Sequence, residues 1–252
     1  MIDLHCHILP GLDDGSGSAE ESLAMARIAL RDGIRTIVAT PHASDGIYNV
    51  TPEEVSEGVV SFQNLLTQQG LDLKICAGAD VHLSPGLAEK IRTGAVGTLN
   101  NTGKYFLLEL PPQTLPLGVK EEIFRLKMQN ITPVITHPER HPAILREVNL
   151  LYDLIRMGAL CQITAMSLTG EFGQEVQGCS QALLKHRLVH VLATDAHSVK
   201  SRPPLLSKAV NEAAEWTGSE SFAIALVEDI PAKILAGKPV EIPEPLRVRE
   251  RR

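Results

Sequence analysis

The sequence predicts an α/β protein built on a parallel sheet, and three observations carry that expectation. Short apolar runs alternate with longer stretches of helical periodicity, the pattern of strands joined by crossover helices. Seven such runs occur, at roughly 2–7, 35–40, 73–79, 105–110, 132–137, 160–165 and 189–194. Six of the seven end on an imidazole or a carboxylate, at the strand end where parallel sheets collect their functional groups. Seven units in about 200 residues suggest a closed or nearly closed barrel, although an open doubly wound sheet has the same local pattern.

The elements follow in order. The first run, Ile2-Asp-Leu-His5-Cys-His7, alternates its side chains, so His5 and His7 share one side and make half of a metal site. The next loop adds Asp13 and Asp14. Ser18-Ala-Glu-Glu21 reads as a capping box that opens a helix through Leu23, Ala26 and Leu30. The second run ends Ala-Thr-Pro-His42. Thr51-Pro52-Glu53-Glu54 then places a cap, a first-turn proline and first-turn acids ahead of Val55, Val59, Phe62 and Leu66. The third run ends at Asp80, with His82 two residues on. The fourth ends at Glu109, and the fifth ends Thr-His137-Pro-Glu-Arg140-His141. Leu145, Val148, Leu151, Tyr152 and Ile155 form one amphipathic face, ended by Gly158. The sixth run carries no such terminal group. The seventh ends Thr-Asp195-Ala-His197, where Asp195 and His197 again share parity, and Arg202 follows. A further helix spans 205–217, and His186 and His190 before the last run read as structural. The Pro/Gly clusters at 111–118 and 202–204 read as loops over a sheet end. The chain is expected to form a single domain over 1–240, followed by a Pro/Arg-rich tail at 241–252 that reads as a solvated terminus.

Composition sets the bounds. A chain of 252 residues with 44% hydrophobic and 21% charged residues is ordinary for a globular protein, and 4% aromatics imply an aliphatic core. A formal charge of −6 opposes a nucleic-acid partner, because backbone binding needs a basic surface. There is no apolar run of membrane-spanning length and no signal-peptide pattern, so the expected location is the cytoplasm. Cys6, Cys76, Cys161 and Cys179 are scattered without a Cys-x-x-Cys pair, which suits buried free thiols and excludes a structural zinc cluster.

The acids and imidazoles at the strand ends exceed what one ion needs. They suit two or three borderline or hard divalent ions such as manganese, iron or zinc. Mixed imidazole and carboxylate ligation is typical of hydrolytic centres, whose ions sit ~3.5–4 Å apart and bring the pKa of water to roughly 7. Arg140 and Arg202 beside these loops offer forks that match phosphate oxygens, so the expected chemistry is hydrolysis of a phosphate ester. Other routes lack their parts. A cysteine phosphatase loop needs Arg six residues after Cys, but positions 12, 82, 167 and 185 are Leu, His, Ser and Lys. There is no Gly-x-Ser-x-Gly elbow, no Walker loop and no Gly-x-Gly-x-x-Gly after a strand.

His5-x-His7, Thr-Pro-His42, Thr-His137-Pro-Glu-Arg140 and Thr-Asp195-Ala-His197 together resemble the polymerase-and-histidinol-phosphatase (PHP) superfamily. Within it, the chain is similar to the bacterial PHP-type protein-tyrosine phosphatases of capsule and exopolysaccharide loci. The segments that carry this are 1–15 with its Asp-Asp-Gly loop, Gln162–Gly173 and Pro231–Gly237. The resemblance implies a distorted (β/α)7 barrel with a trinuclear centre at the C-terminal strand ends, usually of manganese. It implies His5, His7, Asp14, His42, Asp80, Glu109, His137, Asp195 and His197 as ligands, with Arg140 and Arg202 gripping the phosphate. It also implies a phosphotyrosine protein as substrate, namely the autophosphorylated tyrosine kinase of polysaccharide synthesis. One departure stands out: the family has Glu where this chain has Asp80, one methylene shorter. His82 has the parity to compensate. The competing readings are a small-molecule phosphatase of the histidinol-phosphate type, an exonuclease (disfavoured by the acidic charge) and a catalytically silent binding protein.

Overall fold

The computed structural model describes residues 1–43, 46–241 and 243–248. Nine strands and eleven α-helices lie among them. In chain order they are β1 (Ile2–Cys6), α1 (Ala19–Asp32), β2 (Thr36–Ala39), β3 (His42–Ala43), α2 (Pro52–Gln68), β4 (Lys74–Ala77), β5 (Asp80–His82), α3 (Leu87–Arg92) and β6 (Tyr105–Glu109). Then come α4 (Val119–Met128), β7 (Thr132–Thr136), α5 (Pro142–Arg146), α6 (Asn149–Arg156), β8 (Leu160–Thr164), α7 (Ala165–Thr169), α8 (Gln174–Lys185), β9 (Val191–Ala193), α9 (Ser207–Thr217), α10 (Glu220–Ala225) and α11 (Asp229–Leu235).

All registered strand pairs are parallel, as the alternation of runs and helices requires. Instead of one sheet there are two, ordered β1-β2-β4 and β3-β5-β6-β7-β8-β9. The second and third expected strands are each cut in two. Pro41, which has no N–H to donate, separates β2 from β3. Gly78 separates β4 from β5 where the backbones come close: a Cβ there would sit 2.7 Å from Val38 Cγ1. The Asp80 amide donates to the Pro41 carbonyl at 3.1 Å across the two cuts. At the other side, an isolated parallel bridge joins Cys6 to Ala196. The Asp195 amide donates to His5 O at 2.8 Å and the His7 amide to Ala196 O at 2.9 Å. No single closed sheet runs through the described residues.

Both faces of the strands are buried, as expected of parallel sheets packed with helices. A large aliphatic cluster lies between strands and helices. A smaller one holds Leu4, Val38, Leu107, Val134, Leu160, Val191 and Ala193. Two residues further along β6, β7 and β8, the same strand side carries Glu109, Thr136 and Gln162. The side of the sheet that holds the smaller cluster is therefore apolar early in the strands and polar at their ends. In β1 the register against β2 shifts between Asp3 and Cys6, so that Leu4 joins the apolar cluster while His5 still turns toward the polar end.

Several local expectations are refined. Ser18 caps α1 by accepting from the Glu21 amide, but the Glu21 carboxylate reaches Gly17 N at 3.1 Å, so only half the box forms. Thr51 and Glu54 form the full reciprocal pair. The amphipathic stretch from Leu145 to Ile155 is two helices, because Glu147 leaves helical geometry and its carboxylate accepts from the Asn149 amide at 2.9 Å. All four cysteines are buried and free. The described part of the tail is mostly exposed, and it is attached at several points. Leu246 N donates to His186 O at 2.8 Å, Asn149 exchanges two 3.0 Å bonds with the Val248 backbone, and Arg247 lies over the Tyr152 ring. Arg249–Arg252 lie outside the described residues. No helix among the described residues is long and apolar enough to cross a membrane.

Candidate metal centre

The floor of the site is built by β1. His5 Nε2 lies 3.2 Å from His7 Nε2, 3.4 Å from Asp80 Oδ2 and 3.3 Å from Asp195 Oδ1. Each of these imidazoles is held from behind. His5 Nδ1 pairs with Gln162 Oε1 at 3.0 Å, and His7 Nδ1 pairs with Asp13 Oδ2 at 2.5 Å. An acceptor on Nδ1 keeps the proton there and leaves the Nε2 lone pair for the centre. The adjacent acids Asp13 and Asp14, indistinguishable by residue type, thus take different places. Asp13 also accepts from the Gly15 and His42 amides at 3.0 Å, whereas Asp14 Oδ1 stands 3.5 Å from both His42 Nε2 and His197 Nε2. Gly15 makes this turn possible, since a Cβ there would sit 2.3 Å from His7 O.

The broken strands supply the next side. His42 Nδ1 is 3.8 Å from Asp80 Oδ2 and 3.5 Å from Glu109 Oε2. His82 Nδ1 lies 3.6 Å from Glu109 Oε2. His137 Nε2 lies 3.9 Å from Asp80 Oδ2 and 3.8 Å from Glu109 Oε1. Asp80 points one oxygen at the imidazoles of His5, His42 and His137. That oxygen is buried with no hydrogen-bond partner among the described residues.

Asp195 completes the ring. Its Oδ1 lies 3.3 to 3.7 Å from His5, His7 and His197, while Oδ2 accepts from Arg140 at 2.5 Å and also from Arg202. Strand parity does not explain this placement, because Asp195 lies beyond β9 with φ 52°; His137 beyond β7 has φ 35°. Non-glycine residues are rare in this left-handed region, and such backbone is typical of functional sites.

Electrostatics follow from burial among opposite charges. Burial would disfavour an imidazolium at His5, but the Asp195 and Asp80 carboxylates outweigh it and raise its pKa to about 9. At His42 burial is likewise outweighed, by Glu109 and Asp80, again to about 9. Asp80 and Asp195 stay well below the ordinary carboxylate range: burial opposes this, and His5, with His137 or Arg140, prevails. Glu109 falls to about 2, where burial is overcome by His42 and His82. His197 is pushed down to about 3 by burial and by His7. The group as a whole favours positive charge at its centre.

Three donor sets fall within 4.8 Å: His7, Asp14, His42 and His197; His5, His7 and Asp80; His42, Asp80 and Glu109. Each pair of sets shares one residue. All-imidazole and carboxylate donors, a buried unpartnered Asp80 oxygen and shared bridging positions fit adjacent divalent ions. His137 and Asp195 border these sets without belonging to one. A cleft of about 280 Å³ opens on the centre, lined by residues that include Asp14, His42, His137, Arg140 and Arg202.

The residues that sequence reasoning passed over are the buried supports. Gln162 backs His5. Asp3 spans β1 and β9 by accepting from Thr194 N at 2.9 Å and Thr194 Oγ1 at 2.5 Å; burial raises its pKa to about 6 against these bonds. Glu139 accepts from Thr164 N at 2.9 Å and Ser167 Oγ at 2.6 Å. A polar residue inside an apolar strand was the available signal for Asp3 and Gln162. His141 is structural, with Nε2 2.9 Å from Pro111 O and Nδ1 accepting from Ala143 N.

Residues 1–236 match the family profile described as "Capsular polysaccharide synthesis, CpsB/CapC". The chain belongs to the CpsB/CapC family. It is 39% identical over 202 residues to the tyrosine-protein phosphatase YwqE of Bacillus subtilis, covering 80% of this chain and 79% of that protein. It is 32% identical over 240 residues to the tyrosine-protein phosphatase CpsB of Streptococcus pneumoniae, covering 93% and 98%. Its backbone matches, with a TM-score of 0.95, 35% identity and 99% and 100% coverage, a chain from the crystal structures of YwqE and CpsB, described as unique metal-dependent tyrosine phosphatases. The three-set centre thus sits within a CpsB/CapC fold along nearly its whole length.

Proposed function

We propose that this CpsB/CapC protein is a metal-dependent phosphotyrosine-protein phosphatase. Its substrate is the autophosphorylated tyrosine kinase of capsule or exopolysaccharide synthesis, and it works in the cytoplasm. The observation that carries the reading is the set of three overlapping donor groups beside two arginines in one cleft. Similarity to proteins named tyrosine-protein phosphatases supports the substrate class. In this reading the seven strand units form a distorted (β/α)7 barrel whose joint between first and last strands is the Cys6–Ala196 bridge, and residues 1–240 act as one domain.

The ligands to two or three manganese ions (iron or zinc are the other occupants) are His5, His7, Asp14, His42, Asp80, Glu109, His137, Asp195 and His197. Such ions supply an acidified water and neutralise phosphoryl charge. The protein's own part is geometric. Gln162 and Asp13 fix the His5 and His7 tautomers. Asp80 offers one oxygen to neighbouring donor sets, the place of a bridging carboxylate, with His82 adding a donor beside Glu109. Arg140 and Arg202 reach the cleft and present guanidinium forks to the phosphate; charge building on its oxygens in the transition state strengthens those contacts. A tyrosyl leaving group, with an ordinary pKa near 10, needs less protonation than an alkoxide.

The test is to chelate the protein, refill it with Mn, Fe, Zn or Mg, and compare turnover of a phosphotyrosine peptide with that of histidinol phosphate. Activity lost on chelation, restored by one of these ions and higher on the peptide is the expected result. Preference for histidinol phosphate would move the protein to small-molecule hydrolysis. Full activity after complete chelation would end the metal reading.

A further inference from the structure

The segment Gln162–Gly173 carries part of the family resemblance, yet none of its residues belongs to the donor sets. Its contacts give it a different task. Glu139 sits between His137 and Arg140 on the turn that leaves β7 and is fully buried. One of its oxygens is fastened by Thr164 N and Ser167 Oγ, both from this segment. Farther along, Phe172 places its ring 5.1 Å from the Arg140 guanidinium carbon. Arg140 needs such support. Its Nη2 donates to Asp195 Oδ2, while its buried Nε has no hydrogen-bond partner among the described residues. One hydrogen bond fixes a distance but lets the planar group rotate about it; an aromatic ring beneath the guanidinium carbon adds a second, separate restraint on where the group sits. Positive-φ glycines lie on either side of the Glu171–Phe172 pair, Gly170 at φ 90° and Gly173 at φ 93°, and the Gln177 side chain donates to Leu168 O at 3.0 Å within the same segment.

We propose that Thr164–Phe172 is a template for the His137–Arg140 turn, and that Phe172 is the positioning residue that orients Arg140 toward the phosphate. The inference rests on the proposed phosphatase reading, in which Arg140 meets the substrate. It adds that phosphate affinity depends on an aromatic face that neither binds metal nor takes part in the reaction.

The experiment uses the full-length, metal-loaded protein and two readouts: calorimetric binding of inorganic phosphate, and kcat and KM on a phosphotyrosine peptide. Phe172→Leu keeps bulk and removes the π face. It should weaken phosphate binding roughly fivefold to thirtyfold, the range of a partly buried cation–π contact, and raise KM with it. Phe172→Tyr should stay within about threefold of the parent, because its ring face is retained. In an Arg140→Ala background, Phe172→Leu should add little, since the two act as one unit. Native phosphate affinity in Phe172→Leu, equal losses in the Leu and Tyr variants, or an additive loss on top of Arg140→Ala would each overturn the inference. A parent protein that is inactive on the peptide would instead overturn the phosphatase reading.

Discussion

The floor and the rim of the centre are built differently. On the floor, His5, His7, Asp80 and Asp195 are buried, and both imidazoles have a partner within 3.0 Å behind them. On the rim, Asp14, His42, Glu109 and His137 are partly open, and the Asp14 side chain is 50% exposed. Rim groups face one another at 3.5 to 3.8 Å, longer than hydrogen bonds. The floor is thus preorganised by the sheet, while the rim groups are more open and less held from behind. Preorganisation removes an ordering cost that a flexible ligand set meets each time it binds. A floor ion should accordingly bind tighter than a rim ion.

The largest effect tests the junction of the two arginines with the floor. Asp195→Ala removes a floor acid and the shared partner of Arg140 and Arg202. It should lower kcat/KM on a phosphotyrosine peptide by more than about 10³-fold and cost bound metal, read by elemental analysis. It should lose more than a support does, since support losses typically run ~10–100-fold. Next come the supports themselves: Gln162→Leu or Asp13→Asn should weaken metal affinity about 10–100-fold in a chelator competition, with little change in secondary structure. Asp13→Asn should exceed Asp14→Asn in this assay; the reverse order would break the distinction between floor and rim. A graded chelator titration should then release metal in at least two steps, and His82→Ala should affect only the weaker step, by less than about tenfold. Metal content and affinity equal to the parent's would remove His82 from the centre.

The smallest effect on turnover should come from His190, a control outside both regions. Its Nδ1 accepts from Cys161 N at 3.0 Å, and burial pushes its pKa down from 6.5 to about 4. The unfolded chain binds this proton first as pH falls. The neutral form's contribution is therefore intact above pH 6.5 and is lost between 6.5 and about 4, on the order of 3 kcal/mol in all. His190→Asn, which keeps an acceptor for Cys161 N, should flatten the denaturation midpoint across that window and leave turnover at neutral pH unchanged.

Much of the site was readable because its chemistry sits at strand ends, where a His or Asp interrupts an apolar run. The fold was readable in kind, from strands and helices that alternate. What escaped depends on long-range contacts. Nothing local shows that Pro41 and Gly78 cut two strands and divide the sheet. Asp13 and Asp14 differ only in which of them the Gly15 turn folds beneath His7. Gln162 belongs to the one run with no terminal ligand, and its value appears only when β8 comes to lie across from β1. The tail's hold on α6 depends on Asn149, 99 residues away from Val248.

The left-handed backbone at His137 and Asp195 bears on any attempt to harden this protein against heat. Each such residue carries a conformational cost of order 1–3 kcal/mol that glycine would largely avoid. A selection that scores survival alone would be drawn to those two sites and would reward replacements that empty the catalytic pocket of its donors. Libraries built for thermal endurance should keep both codons fixed, or screen for turnover in the same round.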